Sequence, residues 1–205
     1  MRKANIQITT DELVILQDKI FLQKKANALL TLKDLFSELR DHIRNESPAF
    51  ERTFPVSLDI THGKISQGEN YRGFPFLVLD FPKLFTKDTV FTFRSMFWWG
   101  HHFSFTFHLS GRDHDTAIRS VRSQLNQLKG KEFYLCVKDT PWEYHYEEDN
   151  YLPLDEVLKK DQAEKIFSGK DFIKLSRKLE ISEWKKVIPY GTETFISCMK
   201  LTCKR

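Results

Sequence analysis

A chain of 205 residues, 40% hydrophobic and 29% charged, can bury a core without disulfide or metal support, and this balance excludes disordered and fibrous classes. The net charge of +4 comes entirely from residues 155–205, which carry 12 Lys/Arg against 8 Asp/Glu, and so small a surplus argues against a nucleic-acid partner. No stretch approaches the ~18–20 uninterrupted apolar residues of a membrane span.

The first residues, Met1 to Gln7, lack the apolar centre of a secretory signal, which points to a cytoplasmic protein. Residues 11–45 contain neither Gly nor Pro. Thr9 and Glu12 form a capping-box pair, and Leu13, Leu16 and Ile20, then Leu32, Leu35/Phe36, Leu39 and Ile43, recur at helical spacing. A single helix here would run about 50 Å at 1.5 Å per residue, longer than a domain of this size. The pattern therefore predicts two helices, or a kink near Leu30-Thr31 with Thr31 capping the second half. A straight helix would project its apolar stripe and argue for a homodimer through these helices.

Beyond Pro48 the pattern changes to strands. Phe54 to Ile60 alternates and reads as a strand closed by His62-Gly63, and Gly68 to Gly73 reads as a turn or irregular entry. Phe74 to Phe81 is apolar on both parities apart from Asp80, as expected of a strand covered on both faces. Pro75 then belongs near its start, and Phe81 to Asp88 is a connection.

Ten of the 18 phenylalanines fall between Phe74 and Phe107. Residues 89–98 and 102–110 form a hairpin whose aromatic sets, Phe91, Phe93 and Phe97 with Phe103, Phe105 and Phe107, share one face. That pairs Phe97 with Phe103 and Phe93 with Phe107 around a three-residue loop, Trp99-Gly100-His101. The reverse face then carries Thr92, Arg94, Met96, Trp98, His102, Ser104, Thr106 and His108.

A short helix follows with Ile118, Val121, Leu125 and Leu128 on one side, capped by Asp113 or Asp115 and ended by Gly130. Phe133, Leu135 and Val137 make the next strand, reached by a helical crossover. Residues 139–153 are an acidic, aromatic loop. Two or three short helices are expected across 154–180, and a last strand from about Thr194 to Cys203 with Phe195, Met199 and Leu201 inward. Cys136, Cys198 and Cys203 lack the CxxC spacing of a zinc site and fit reduced, half-buried positions.

Three groups could carry chemistry. Arg94, Trp98, His102 and His108 on the reverse face could bind an anionic ligand and move a proton, or could be the wet face of a sheet. Glu143, His145 and Glu147 share a face if extended and could do acid–base work, or form an exposed loop folded over the hairpin. Lys170, Lys174, Arg177 and Lys178 follow helical spacing, with Trp184 and Tyr190 nearby. No metal site is expected, because His102 and His108 lie about 20 Å apart along one strand at 3.3 Å per residue. The sequence holds neither GxSxG nor the phosphate loops GxxxxGK(S/T) and GxGxxG, so no nucleotide or other cofactor is expected.

The predicted architecture is a single α+β domain over residues 1–205. An antiparallel-dominated sheet of five or six strands carries an N-terminal helical pair on its aromatic face and a helical C-terminal segment. Its parts are helical 1–47, the sheet and crossover helix 48–138, and the loop, short helices and final strand 139–205. The function read from it is a binding or scaffold module taking a small anionic or aromatic ligand on a sheet face, or a partner protein. The alternative is a hydrolase or transferase using Arg94 for substrate charge and His102 or His108 as base.

Overall fold

The phenylalanine run folds as the middle of a seven-stranded antiparallel sheet of order β1-β2-β3-β4-β7-β5-β6. The computed structural model describes residues 6–55 and 57–202. The strands are β1 (Lys64–Tyr71), β2 (Phe74–Phe85), β3 (Val90–Trp98), β4 (His102–Ser110), β5 (Tyr134–Cys136), β6 (Tyr151–Pro153) and β7 (Phe172–Glu180). Helices α1 (Thr10–Gln17), α2 (Lys19–Glu46), α3 (Asp115–Ser123), α4 (Leu154–Lys159), α5 (Ala163–Phe167) and α6 (Val187–Thr202) complete it. The architecture is thus α+β, with more strands than the five or six expected.

The β3–β4 hairpin has the predicted register: Phe97 faces Phe103, Phe93 faces Phe107, and Trp98 faces His102 across the loop Trp99-Gly100-His101. Alternation along each strand puts Leu77, Leu79, Phe93, Phe105 and Phe107 on one face, all fully buried. That face is covered by the C-terminal half of α2 (Phe36, Leu39, Ile43) and by α6. Ring pairs knit these layers, Phe93 to Phe195 at 5.5 Å and Phe36 to Phe103 at 6.4 Å, both edge-on. Gly191 of α6 sits so close to the sheet that a Cβ there would meet Phe105 at 2.8 Å and Leu39 at 2.9 Å. A side chain at that position would hold the helix away.

Several expectations differ from the structure. The helical break is at Asp18 (φ −76°, ψ 85°), not at Leu30-Thr31. Asp18 ends α1, and its Oδ1 accepts the Phe21 N–H at 2.8 Å, starting α2. Thr31 instead returns its hydroxyl to the Asn27 carbonyl at 3.2 Å and lets the helix continue.

The strand expected from Phe54 to Ile60 is reduced to one bridge, Asp59 to Lys83. The Asp59 carboxylate gathers the N–H groups of Thr61, His62 and Gly63 at 2.9–3.2 Å, and such a side-chain turn competes with strand pairing. Within 68–73, where a turn or irregular entry was expected, β1 has a register shift between Gly68 and Tyr71 and the chain turns at Arg72-Gly73. Strand β2 continues through the expected connection to Phe85, with a register shift between Asp80 and Lys83.

Residues 172–180, expected as helix, are the interior strand β7, pairing β4 on one side and β5 on the other. Residues 194–202, expected as strand, belong to α6. Among its buried residues, Val187, Gly191, Thr194, Phe195, Cys198 and Thr202 follow helical spacing. At α3 the residue before the helix is His114, which makes no side-chain cap bond, so neither aspartate caps it as expected. Val56 of the expected strand and Cys203 of the expected last one lie outside the described residues, as do Met1 to Asn5.

Candidate functional site

Strand alternation places Asp80, Arg94, His102, Thr106, His108, Lys174 and Ser176 on the face opposite the phenylalanines. This face is neither wet nor open. The segment 141–150 lies across it, so that Thr92, Ser104, Thr106, His108, Lys174 and Ser176 are buried. Tyr71 holds the segment down: its hydroxyl accepts the Tyr144 N–H at 2.7 Å and the His145 N–H at 3.2 Å, and donates to Glu143 Oε2 at 2.9 Å. Burial and the Glu143 carboxylate push the Tyr71 phenol up to about 12, against the pull of the Tyr144 N–H.

Arg94 spends its charge inside the fold. Its Nε and Nη2 donate to Asp80 Oδ1 and Oδ2 at 2.7 and 2.9 Å, and its Nη1 donates to the Tyr144 hydroxyl at 2.6 Å. Burial works against the guanidinium's charge, but Asp80 and Tyr144 outweigh it and hold the pKa above the ordinary arginine value.

His108 is edge-on to Trp142 at 5.4 Å, and both its ring nitrogens lie buried without a hydrogen-bond partner. Burial, with Lys174 and Arg94 close by, depresses it to about 3. His102 packs edge-on to Tyr146 at 5.0 Å; burial, then Lys178 and His101, depress it to about 4. Both rings are therefore neutral at pH 7. Trp98 stacks on His101 at 3.5 Å and donates its indole N–H to the Tyr71 carbonyl.

Lys174 sits beside His108 on the neighbouring strand, with no surface exposure. Its ammonium lies 4.1 Å from the Tyr144 ring and 5.0 Å from Tyr151, and donates to the Glu143 carbonyl. Burial lowers it to about 7, with Cys136 and Glu143 pulling the other way. Sequence reasoning gave this lysine to a basic helix. The available signal was the two-residue alternation Ile173, Leu175, Leu179, which marks 172–180 as a strand. The strand also dissolves the basic group: Lys174 lies on the polar face, while Arg177 lies on the other, stacked on Tyr190 at 3.8 Å and paired with Glu193.

His145 is buried, its Nε2 2.9 Å from Asp149 Oδ1 and its Nδ1 3.4 Å from Glu143 Oε2. Glu147 pairs with Arg72 at 3.1 Å, while Glu143 and Asp149 are the carboxylates nearest the His145 ring nitrogens. Among the described residues, His145, Glu147 and Asp149 bring donor atoms within 4.8 Å of one another. Arg72 and Lys138 already neutralise both of those carboxylates.

The N-terminal helices present a different surface. No residue of α1 is buried. Ten of the fifteen exposed large apolar side chains among the described residues lie between Ile6 and Leu30. Val14, Leu16 and Ile20 are each more than 60% exposed. Further along α2 an apolar cleft of about 590 Å³ opens between that helix and the hairpin tip, lined by Leu32, Leu35, Phe97, Trp99, Phe103 and Trp184 among others. A larger, more polar cleft of about 870 Å³ lies at the other end of the molecule, around Arg52, Asp88, Asp113 and His114.

The chain matches no family model, and no curated protein or solved structure matches it either. No helix among the described residues is long and apolar enough to cross a membrane.

Proposed function

We propose that the chain is a binding or scaffold module that engages a protein partner through its N-terminal helices and the apolar cleft beside them. One observation carries this reading: ten large apolar side chains from Ile6 to Leu30 stand in solvent, on the segment that runs on along α2 into the cleft lining at Ala28, Thr31, Leu32 and Leu35. Monomeric proteins rarely leave contiguous apolar patches beyond a few hundred Å², and larger ones mark interaction surfaces. The polar sheet face supports the non-catalytic half of the reading. Arg94 is committed to Asp80 and Tyr144, and His108 lies beneath Trp142.

One arrangement favours the alternative, a hydrolase or transferase, or a small-ligand site, on the sheet face. Lys174, with its pKa near 7, sits beside the unpaired ring of His108. The covering segment is tied partly by exposed ion pairs, Arg72–Glu147 and Lys138–Asp149. In that reading an anionic or aromatic ligand enters when residues 141–150 lift.

A photo-crosslinking amino acid at Leu16, introduced in the cells that make the protein, tests the first reading. It predicts adducts of discrete protein mass, and a folded protein that forms none contradicts it. Benzoate binding by an Arg72→Ala/Lys138→Ala protein, with loss of that binding on Lys174→Met, would establish the alternative.

A further inference from the structure

We infer that the partner of the N-terminal helices is a second copy of this chain, each copy placing its α1 in the other's apolar cleft. The inference rests on the binding-module reading above and names its partner. The first ground is the shape of the apolar surface. Leu13, Val14, Ile15 and Leu16 are consecutive and all exposed, so they point around the whole circumference of α1. A turn apolar on every side, such as Leu13 to Leu16, is satisfied by being surrounded, not by lying on one flat face. The break at Asp18 ends α1 and sets it off from the axis of α2, as an inserting element requires.

The second ground is self-complementarity. The exposed segment and the unfilled cleft are neighbours on one chain, since Ala28, Thr31, Leu32 and Leu35 of α2 line the cleft. A two-fold interface needs a patch that matches its own copy, and an apolar helix beside an apolar slot meets that need through reciprocal exchange. Antiparallel pairing of the two exposed N-terminal halves of α2 carries each α1 toward the opposite cleft.

Charge adds no ground of its own: Asp34 and Glu38 line the cleft, α1 carries Asp11 and Glu12 in its first turn, and Lys19 and Lys24 belong to α2. Residues 6–30 as a whole balance, with Asp11, Glu12 and Asp18 against Lys19, Lys24 and Lys25. They lack the cationic excess that draws an amphipathic helix to an anionic lipid surface.

Area is sufficient. At roughly 100 Å² for each aliphatic side chain, eight of the ten exposed residues supply roughly the 800 Å² per partner of a stable interface.

Sedimentation of the full chain, with two single variants and their mixture, tests the arrangement. Leu16→Glu spoils the inserting helix and leaves the cleft intact; Trp184→Glu spoils the cleft and leaves the helix intact. The wild type should sediment at twice the mass of one chain. Each variant, with its circular dichroism spectrum and thermal transition unchanged, should dissociate at least about 100-fold more readily, two decades in the dissociation constant.

An equimolar mixture of the two should associate more tightly than either alone, because the Leu16→Glu copy still offers a good cleft to the intact helix of the other. A mixture no tighter than its components overturns the exchange. A wild-type monomer that still forms a discrete adduct at Leu16 with another polypeptide overturns the second copy and leaves the binding-module reading standing. A monomer that forms no adduct overturns both.

Discussion

Arg94 on β3 and Asp80 on β2 meet across the sheet in a two-pronged pair, Nε to Oδ1 at 2.7 Å and Nη2 to Oδ2 at 2.9 Å, with side chains 18% and 7% exposed. The pair makes the polar face a second core. Replacing Arg94 with Ala strands the Asp80 carboxylate and should cost about 3–5 kcal/mol. Arg94→Met with Asp80→Leu should recover most of it. Urea unfolding of the three proteins checks this, and an Arg94→Ala protein of wild-type stability would show the carboxylate to be solvated.

The neutral histidines fix the acid limb of stability. His102 and His108 are held at about 4 and 3 in the fold, against 6.5 when free. The unfolded chain therefore takes up protons below pH 6.5 that the folded chain refuses. The rings' contribution to stability should be level above that pH and fall on acidification toward pH 4, by about 1.4 kcal/mol per pH unit for each ring. His108→Leu should remove one ring's share of the slope. Asp59 and Asp149, both held near 2, add their loss mainly below pH 4. Calorimetry at pH 4–7 reads the difference.

Lys174 acts in the opposite range. Its folded value near 7 lies below the ordinary 10.5, so between these the unfolded chain holds the extra proton and stability should rise with pH. The rise should be visible from pH 7 to 8.5. Above that, the raised Cys136 thiol and Tyr71 phenol pull the other way as the unfolded chain ionises first. A Lys174→Met protein should lack the rise in the same thermal series.

Gly191 reports the contact between α6 and the sheet. A methyl group there meets the fully buried Phe105 ring and Leu39, neither of which has room to retreat. Gly191→Ala should cost about 1–3 kcal/mol through overpacking, despite the better helix propensity of alanine. An unchanged or raised melting temperature would mean that the helix shifts freely.

Much of this molecule was legible where periodicity and burial agree. Phe91 to Phe107 alternates so strictly that strand identity, pairing register and the contents of both faces could be read from it. The closing of the polar face could not be read, because it depends on Tyr71, some 70 residues before the segment it holds. Residues 172–180 were misread because Lys174, Arg177 and Lys178 happen to fall at helical spacing, while Arg177 interrupts the apolar alternation Ile173, Leu175, Leu179. Residues 194–202 failed for the converse reason: β-branched and aromatic residues suggest a strand, yet Val187, Gly191, Phe195 and Cys198 form a helical stripe that packing selects. The exposed N-terminal stripe was legible as apolar helix, but only the fold shows that the body of the protein leaves it uncovered.

The most direct test of the central claim, that this is a protein-binding module and not a small-molecule site, is the native mass spectrum of the full chain set beside its denatured mass. The account predicts an assembly of twice the polypeptide mass with nothing further bound. A single chain carrying added small-molecule or metal mass would contradict it and return attention to the covered face of Arg94, His108 and Lys174.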